Sequence, residues 1–215
     1  MFVLLLERRW LSGVKDRFAV YMNKTICVYS SSSCNIDRLY FKVAEELGEA
    51  IALRGATLLF GGGLIGLMGA TAKAVHKHHG KVIGVIPKAL NLKGVVYDCC
   101  DELIVTEGMR ERKAVMDARS DAFIALPGGF GTLEELLEII TLKQLKYHNK
   151  PIVILNTDGF YDSLLAQFKE IIEQKFAKPQ SKSLYYVTNN PNEALEYIDS
   201  YQPMAIDEKW LPDIS

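Results

Sequence analysis

The side chains in this sequence best suited to chemistry on a phosphorylated molecule lie between Arg110 and Glu135. Gly128, Gly129 and Gly131, within Pro127-Gly-Gly-Phe-Gly-Thr-Leu-Glu-Glu135, lack Cβ atoms, so backbone amides there can approach an anion closely. A helix opening at about Thr132 adds its own unpaired N–H groups and the positive end of its dipole. Glu135 follows one turn later, and in a nucleoside monophosphate the anomeric carbon lies a similar distance, about 5 Å, from phosphorus. A carboxylate at that spacing meets ribose rather than phosphate. The same residues also fit a capping box, in which Thr132 caps the helix and Glu135 bonds back to its N–H. Spacing alone favours neither reading. Arg110, Arg112 and Lys113 occupy a helix that ends just before the strand feeding this turn. They read either as a solvated charged face or as counter-charges pointing into the cleft.

These residues need a scaffold, and the hydropathy pattern supplies one. Ala122 to Leu126 carries no polar side chain, as expected for a parallel strand covered on both faces. Further strands are expected at 24–29, 56–60, 81–86, 102–105, 151–155 and 184–187, the last at an edge. Helices are expected at 37–54 (closed by Gly55), 70–79, 108–117, from about 132 to 146, 161–176 and from Pro191 to Tyr197. Residues 88–100 and 178–182 read as irregular. Three strand–loop–helix steps in a row predict an α/β fold, Rossmann-like, with a three-layer α/β/α arrangement and a mainly parallel central sheet. The domain reading is an N-terminal extension over 1–23, a nucleotide-binding catalytic domain over 24–200 and an irregular C-terminal tail over 201–215.

The first βα loop is Ser30-Ser-Ser-Ser33, which has no glycine and cannot be a dinucleotide fingerprint. The second, Gly61-Gly-Gly-Leu-Ile-Gly-Leu-Met-Gly69, satisfies GxGxxG, a weak signal by itself. No Lys-Ser or Lys-Thr follows either glycine loop, which argues against a Walker-type nucleotidase. Two glycine loops at strand ends suggest a phosphorylated ligand held between them. His76, His78 and His79 crowd a helix end where the dipole favours them, and no carboxylate or cysteine at ligand spacing joins them, so no metal site is assigned. The helix from 132 to 146 has a wide apolar surface, which suits burial within one monomer or contact with a second subunit.

The chain has 215 residues, about half of them apolar, and a formal net charge of −1. That size suits one core, and the balanced charge gives no support for a nucleic-acid partner. Cys27, Cys34, Cys99 and Cys100 match neither a CxxC pair nor a secreted disulfide framework, and the apolar opening Phe2 to Leu6 is too short for a signal-peptide core. No stretch reaches transmembrane length. The expectation is a cytoplasmic protein with no membrane partner.

With these motifs in order, the sequence resembles the LONELY GUY family of cytokinin riboside 5′-monophosphate phosphoribohydrolases. Pro127 to Glu135 matches that family's PGGxGTxxE signature, Met109-Arg-Glu-Arg-Lys113 its Met-x-x-Arg-Lys element, and Gly61 to Gly69 its second glycine loop. The resemblance implies a Rossmann-like fold, a homodimer with larger assemblies in some members, and hydrolysis of a nucleoside 5′-monophosphate to free base and ribose 5-phosphate. It implies Arg112 and Glu135 as the catalytic pair, with Gly129, Gly131 and Thr132 on the phosphate and Lys113 beside them. It also places Gly63, Met109 and Gly128 in the substrate site, near the subunit interface. Members of the family long carried the label lysine decarboxylase, but the glycine cradle explains this sequence without pyridoxal phosphate, and no cofactor is assigned. The family's Cys-Gly-Ser-x-x-Gly pattern is replaced here by Ser30-Ser-Ser-Ser-Cys-Asn35, which puts Ser31 and Ser32 in a loop expected near the nucleotide. The alternative function is a non-catalytic carrier of a nucleotide or phosphorylated cofactor.

Overall fold

A computed structural model describes residues 24–203; the expectations for 1–23 and for most of the C-terminal tail fall outside them. Seven strands form one sheet: β1 (Thr25–Tyr29), β2 (Thr57–Phe60), β3 (Lys81–Pro87), β4 (Glu102–Thr106), β5 (Ala122–Ala125), β6 (Ile152–Leu155) and β7 (Tyr186–Thr188). Their spatial order is β4-β3-β2-β1-β5-β6-β7, and every pairing between them is parallel. The connecting helices are α1 (Arg38–Leu53), α2 (Gly66–Lys77), α3 (Met109–Ala118), α4 (Phe130–Gln144), α5 (Asp162–Glu173) and α6 (Pro191–Ser200).

The period-2 alternation of β1 divides the core into two layers. Ile26 and Val28 join Leu47, Ile51, Leu67, Val75 and Leu195 on the face covered by α1, α2 and α6. Cys27 and Tyr29 join Met116, Phe123, Leu136 and Ile139 on the face covered by α3 and α4. This is the three-layer α/β/α arrangement expected from the sequence. The central strands are buried on both sides, which is why their sequences run apolar without alternation.

Several boundaries move, each for a tertiary reason. The helix expected from Ala70 begins four residues earlier at Gly66, because Ser31 C=O accepts from the N–H groups of Leu67 (2.9 Å) and Met68 (3.3 Å). A carbonyl from another segment thus satisfies donors that a local cap would otherwise serve. The helix expected at Thr132 begins at Phe130, with Gly129 in an extended conformation as its N-cap. Pro179–Ser183 forms a 3-10 turn where a loop was expected, and Lys88–Leu90 forms another within the 88–100 segment. By contrast, α1 starts and stops as its sequence predicts. Asp37 caps Leu39 N–H at 2.8 Å, and Gly55 follows the helix with a φ of 66°.

Lys143 on α4 is fully buried, and its Nζ has no hydrogen-bond partner among the described residues. The ammonium lies 4.7 Å from the centre of the Tyr201 ring, and burial lowers its pKa to about 8. Below about pH 8 the folded protein therefore holds a buried charge that has no counter-ion among the described residues and that the unfolded chain solvates. The penalty is complete at neutral pH and is relieved as pH rises toward the ordinary lysine value. Lys143→Met is expected to raise unfolding free energy at pH 7 by about 1–3 kcal/mol, a gain that shrinks between pH 8 and 10. Urea denaturation of both proteins across that range measures it.

Candidate active site at the sheet switch point

From β1 the chain steps outward through β2, β3 and β4, then returns across β1 to place β5 on its other side. The carboxyl ends of β1 and β5 therefore flank a topological switch point, where open α/β sheets leave a crevice. The serine loop leaves β1 there, and the Pro127 turn leaves β5. The two are tied together: Leu126 N–H donates to Tyr29 C=O (2.9 Å), and Ser31 N–H donates to Pro127 C=O (3.3 Å). Tyr161, itself buried, donates its hydroxyl to Leu126 C=O at 2.7 Å and fixes the end of β5 from the N-cap position of α5.

α4 opens directly from this turn. Its first intrahelical bond runs from Leu133 N–H to Gly129 C=O (3.1 Å), and no side chain caps Gly129. The amides of Phe130, Gly131 and Thr132 precede that bond and have no carbonyl one turn back. Gly129 and Gly131 are exposed, and a Cβ on either would meet nothing within 4 Å. Gly128 differs: a Cβ there would lie 2.1 Å from Thr132 Oγ1. Thr132 is buried with its hydroxyl folded back over Gly128, so it is an internal residue of the first turn and not the cap. The capping box is therefore not formed.

Glu135 is instead paired with Arg112. Arg112 Nη1 donates to Glu135 Oε1 at 2.8 Å, and both residues are more than nine-tenths buried. Arg112 Nε donates to Val85 C=O at 3.0 Å, which pins the guanidinium to the end of β3. Burial raises the Glu135 pKa; the Arg112 charge and its hydrogen bond pull it back, Glu134 opposes them, and Lys113 assists them. Tyr29 and Cys27 feel the Glu135 charge from the sheet below, and burial is the main cause raising both of their pKa values.

The remaining sequence candidates separate by position. Lys113 forms ion pairs with Glu134 and with Glu138 (2.8 Å) on α4, which raise its pKa. Met109 is exposed at the start of α3, and Arg110 is also exposed. Gly63 is buried in an antiparallel bridge with Val96, beside Met68. Ser31 Oγ accepts from Ser33 N–H at 3.0 Å, while Ser32 is exposed. Ser30 Oγ is buried without a hydrogen-bond partner among the described residues. His76 contacts Tyr97 Oη (2.7 Å) and Asp101 Oδ2 (3.1 Å), and His78 lies 3.8 Å from Glu49. Among the described residues no group of three or more His, Cys, Asp or Glu is placed to hold a metal ion. Sequence reasoning missed two contributors, the Ser31 and Val85 carbonyls. Backbone acceptors have no residue-type signal.

The fold and site define a Rossmann-like α/β protein with an open helix N-terminus and a buried arginine–glutamate pair at its switch point. Residues 68–198 match the family described as possible lysine decarboxylase. Cytokinin riboside 5′-monophosphate phosphoribohydrolase LOG5 of Arabidopsis thaliana is 40% identical over 191 residues, covering 89% of this chain and 82% of that protein. The probable cytokinin riboside 5′-monophosphate phosphoribohydrolase LOGL6 of Oryza sativa subsp. japonica is 42% identical over 180 residues, covering 84% and 72%. Among solved structures, the molybdenum cofactor binding protein of the phototrophic bacterium Rippkaea orientalis is similar in fold, with a TM-score of 0.62 and 26% identity over 83% of this chain and 96% of that one. The chain belongs to the LONELY GUY family of cytokinin riboside 5′-monophosphate phosphoribohydrolases.

The buried pair has a stability consequence with a defined pH dependence. Removing the guanidinium in Arg112→Met leaves Glu135 buried without its counter-charge, a loss of about 3 kcal/mol when the carboxylate is ionised. Because the folded-state pKa of Glu135 is raised, its protonated form favours the native state at low pH, and the stability it contributes is lost as pH rises through that pKa. The destabilisation by Arg112→Met is therefore expected to be larger at pH 8 than at pH 5, as read from denaturation midpoints at the two values.

Proposed function

We propose that this chain hydrolyses the N-glycosidic bond of adenosine 5′-monophosphate, or of an N6-substituted relative, to give free base and ribose 5-phosphate. The observation that carries this reading is the buried Arg112–Glu135 pair, about one and a half helical turns from the open start of α4 at the switch point. The names of its relatives, at about 40% identity over most of the chain, support the same substrate class.

In the proposed complex the open amides of Phe130, Gly131 and Thr132, with Gly128 and Gly129 shaping the turn, hold the phosphate at the positive end of α4. Glu134 and Glu138 on α4 would oppose an anion there, and Lys113 offsets them by pairing with both. Binding energy from the phosphate then positions ribose over Glu135. Glu135 orients water or ribose hydroxyls and stabilises positive charge developing at the anomeric carbon, while Arg112 holds Glu135 in place and balances negative charge. Water oxygen bonds to the anomeric carbon as the bond to the base nitrogen breaks. The electron pair leaves with the base, which takes up a proton, and the attacking water gives one up as its oxygen becomes the anomeric hydroxyl. Met109 provides apolar surface at the rim, Gly63 acts through the shape of its loop, and the serine loop with Ser31 and Ser32 walls the nucleotide side.

The domain assignment follows: residues 24–200 form the catalytic unit, and 1–23 and 201–215 flank it. A homodimer is proposed from the outer side of α4, where Phe130 is 92% exposed and Leu137 is 42% exposed beside the site. The four cysteines are free, which supports a reducing, cytoplasmic setting. Among the described residues no helix is long and apolar enough to cross a membrane, and neither a membrane nor a nucleic-acid partner is part of the proposal.

Purified protein incubated separately with adenosine monophosphate and N6-isopentenyladenosine monophosphate is expected to release base and ribose 5-phosphate in equal amounts, measured by chromatography. Glu135→Gln, folded by circular dichroism, is expected to lower kcat on the order of 100-fold or more. Nucleotide binding without release from either substrate would favour the carrier function instead, to which the fold likeness to the molybdenum cofactor binding protein lends support.

A further inference from the structure

Arg112 reaches Glu135 by lying across the end of β2, at Gly61. A Cβ built on Gly61 would lie 2.1 Å from Arg112 Nη2 and 3.3 Å from its Cζ, far inside contact distance. The remaining one of the three nearest atoms is Met68 Sδ at 3.2 Å, the far part of a flexible side chain that a small rotation relieves. The guanidinium has no such freedom without cost. Its Nε is held by Val85 C=O and its Nη1 by Glu135, and the residue is only 7% exposed.

Backbone conformation does not account for glycine at this position. The positive φ values in the loop belong to Gly62, at 74°, and Gly66, at 65°, and Gly61 has none. We infer that Gly61 is a positioning residue: the space left by its missing Cβ is the slot in which the Arg112 guanidinium lies between β2 and β3 so as to meet Glu135. The first glycine of the second loop therefore places a cation, whatever the rest of that loop does for phosphate. A side chain at 61 moves the far end of Arg112 rather than the backbone, so the fold tolerates it while the ion pair, whose hydrogen bond depends steeply on distance and angle, does not.

The catalytic consequence rests on the hydrolase proposed above; the geometric one does not, and the test separates them. Glutamate-labelled wild type, Gly61→Ala, Arg112→Ala and the double variant are titrated by carboxyl 13C NMR, with Glu135→Gln identifying the Glu135 signal. Gly61→Ala is expected to raise the Glu135 midpoint as Arg112→Ala does, and the double variant is expected to match Arg112→Ala alone. In parallel, Gly61→Ala is expected to lower kcat on the order of 100-fold with little change in KM, and to move the acid limb of the pH profile upward. An unchanged Glu135 midpoint in Gly61→Ala, or a further shift in the double variant, would overturn the inference. If the wild type releases no base but the midpoints shift as stated, the slot stands and the hydrolase reading falls. Should Gly61→Ala fail to fold, recovery of folding in the double variant supports the clash with Arg112, and failure of the double variant where Arg112→Ala alone folds overturns it.

Discussion

The buried ion pair between Arg112 and Glu135 is the constraint around which the site is arranged. Two charges withdrawn from water are tolerated only when geometry is tight and the remaining donors are used. Here α3, β2, β3 and α4 each supply part of that geometry, through Arg112, the Gly61 backbone, the Val85 carbonyl and Glu135. None of these elements can shift alone without leaving a buried charge unpaired. Rigid placement of a carboxylate whose pKa is raised by burial is the kind of preorganisation that glycoside chemistry uses.

Around that pair, the two glycine loops have divided their tasks. The Pro127 turn leaves the start of α4 open, with exposed glycines and no capping side chain. The second glycine loop does the opposite: the first amides of α2 are consumed by the Ser31 carbonyl, and Gly63 is buried against Val96. A loop that satisfies GxGxxG in sequence thus has the Leu67 and Met68 amides that follow it closed by the neighbouring serine loop. The replacement of the family's glycine-containing pattern by Ser30 to Asn35 alters the segment that makes this closure, although the closure itself is through backbone atoms. The serine side chains remain available to vary without disturbing it.

The outer side of α4 joins the site to the molecular surface. Glu135 and Leu136 face inward, while Phe130 and Leu137 on the same helix face out. The exposed apolar surface of this helix thus begins at its open end with Phe130 and continues two turns on at Leu137.

The sequence by itself determined the layers of this protein. Uninterrupted apolar runs such as Ala122 to Leu126, glycines after strands, and the Asp37 and Gly55 signals around α1 are local properties, and local physics decides them. It also brought Arg112 and Glu135 forward as candidates, through motif resemblance and the one-turn spacing of Glu135 from the glycines. What it left open was which partner each would take. Thr132-Leu-Glu-Glu135 is as good a capping box as it is a catalytic turn, and only the approach of α3 from 23 residues earlier in the chain turned the carboxylate toward Arg112. The early start of α2, capped by a carbonyl from the serine loop, and the slot at Gly61 were invisible for the same reason. Backbone acceptors and empty space have no residue signature, and they exist only once distant segments have packed.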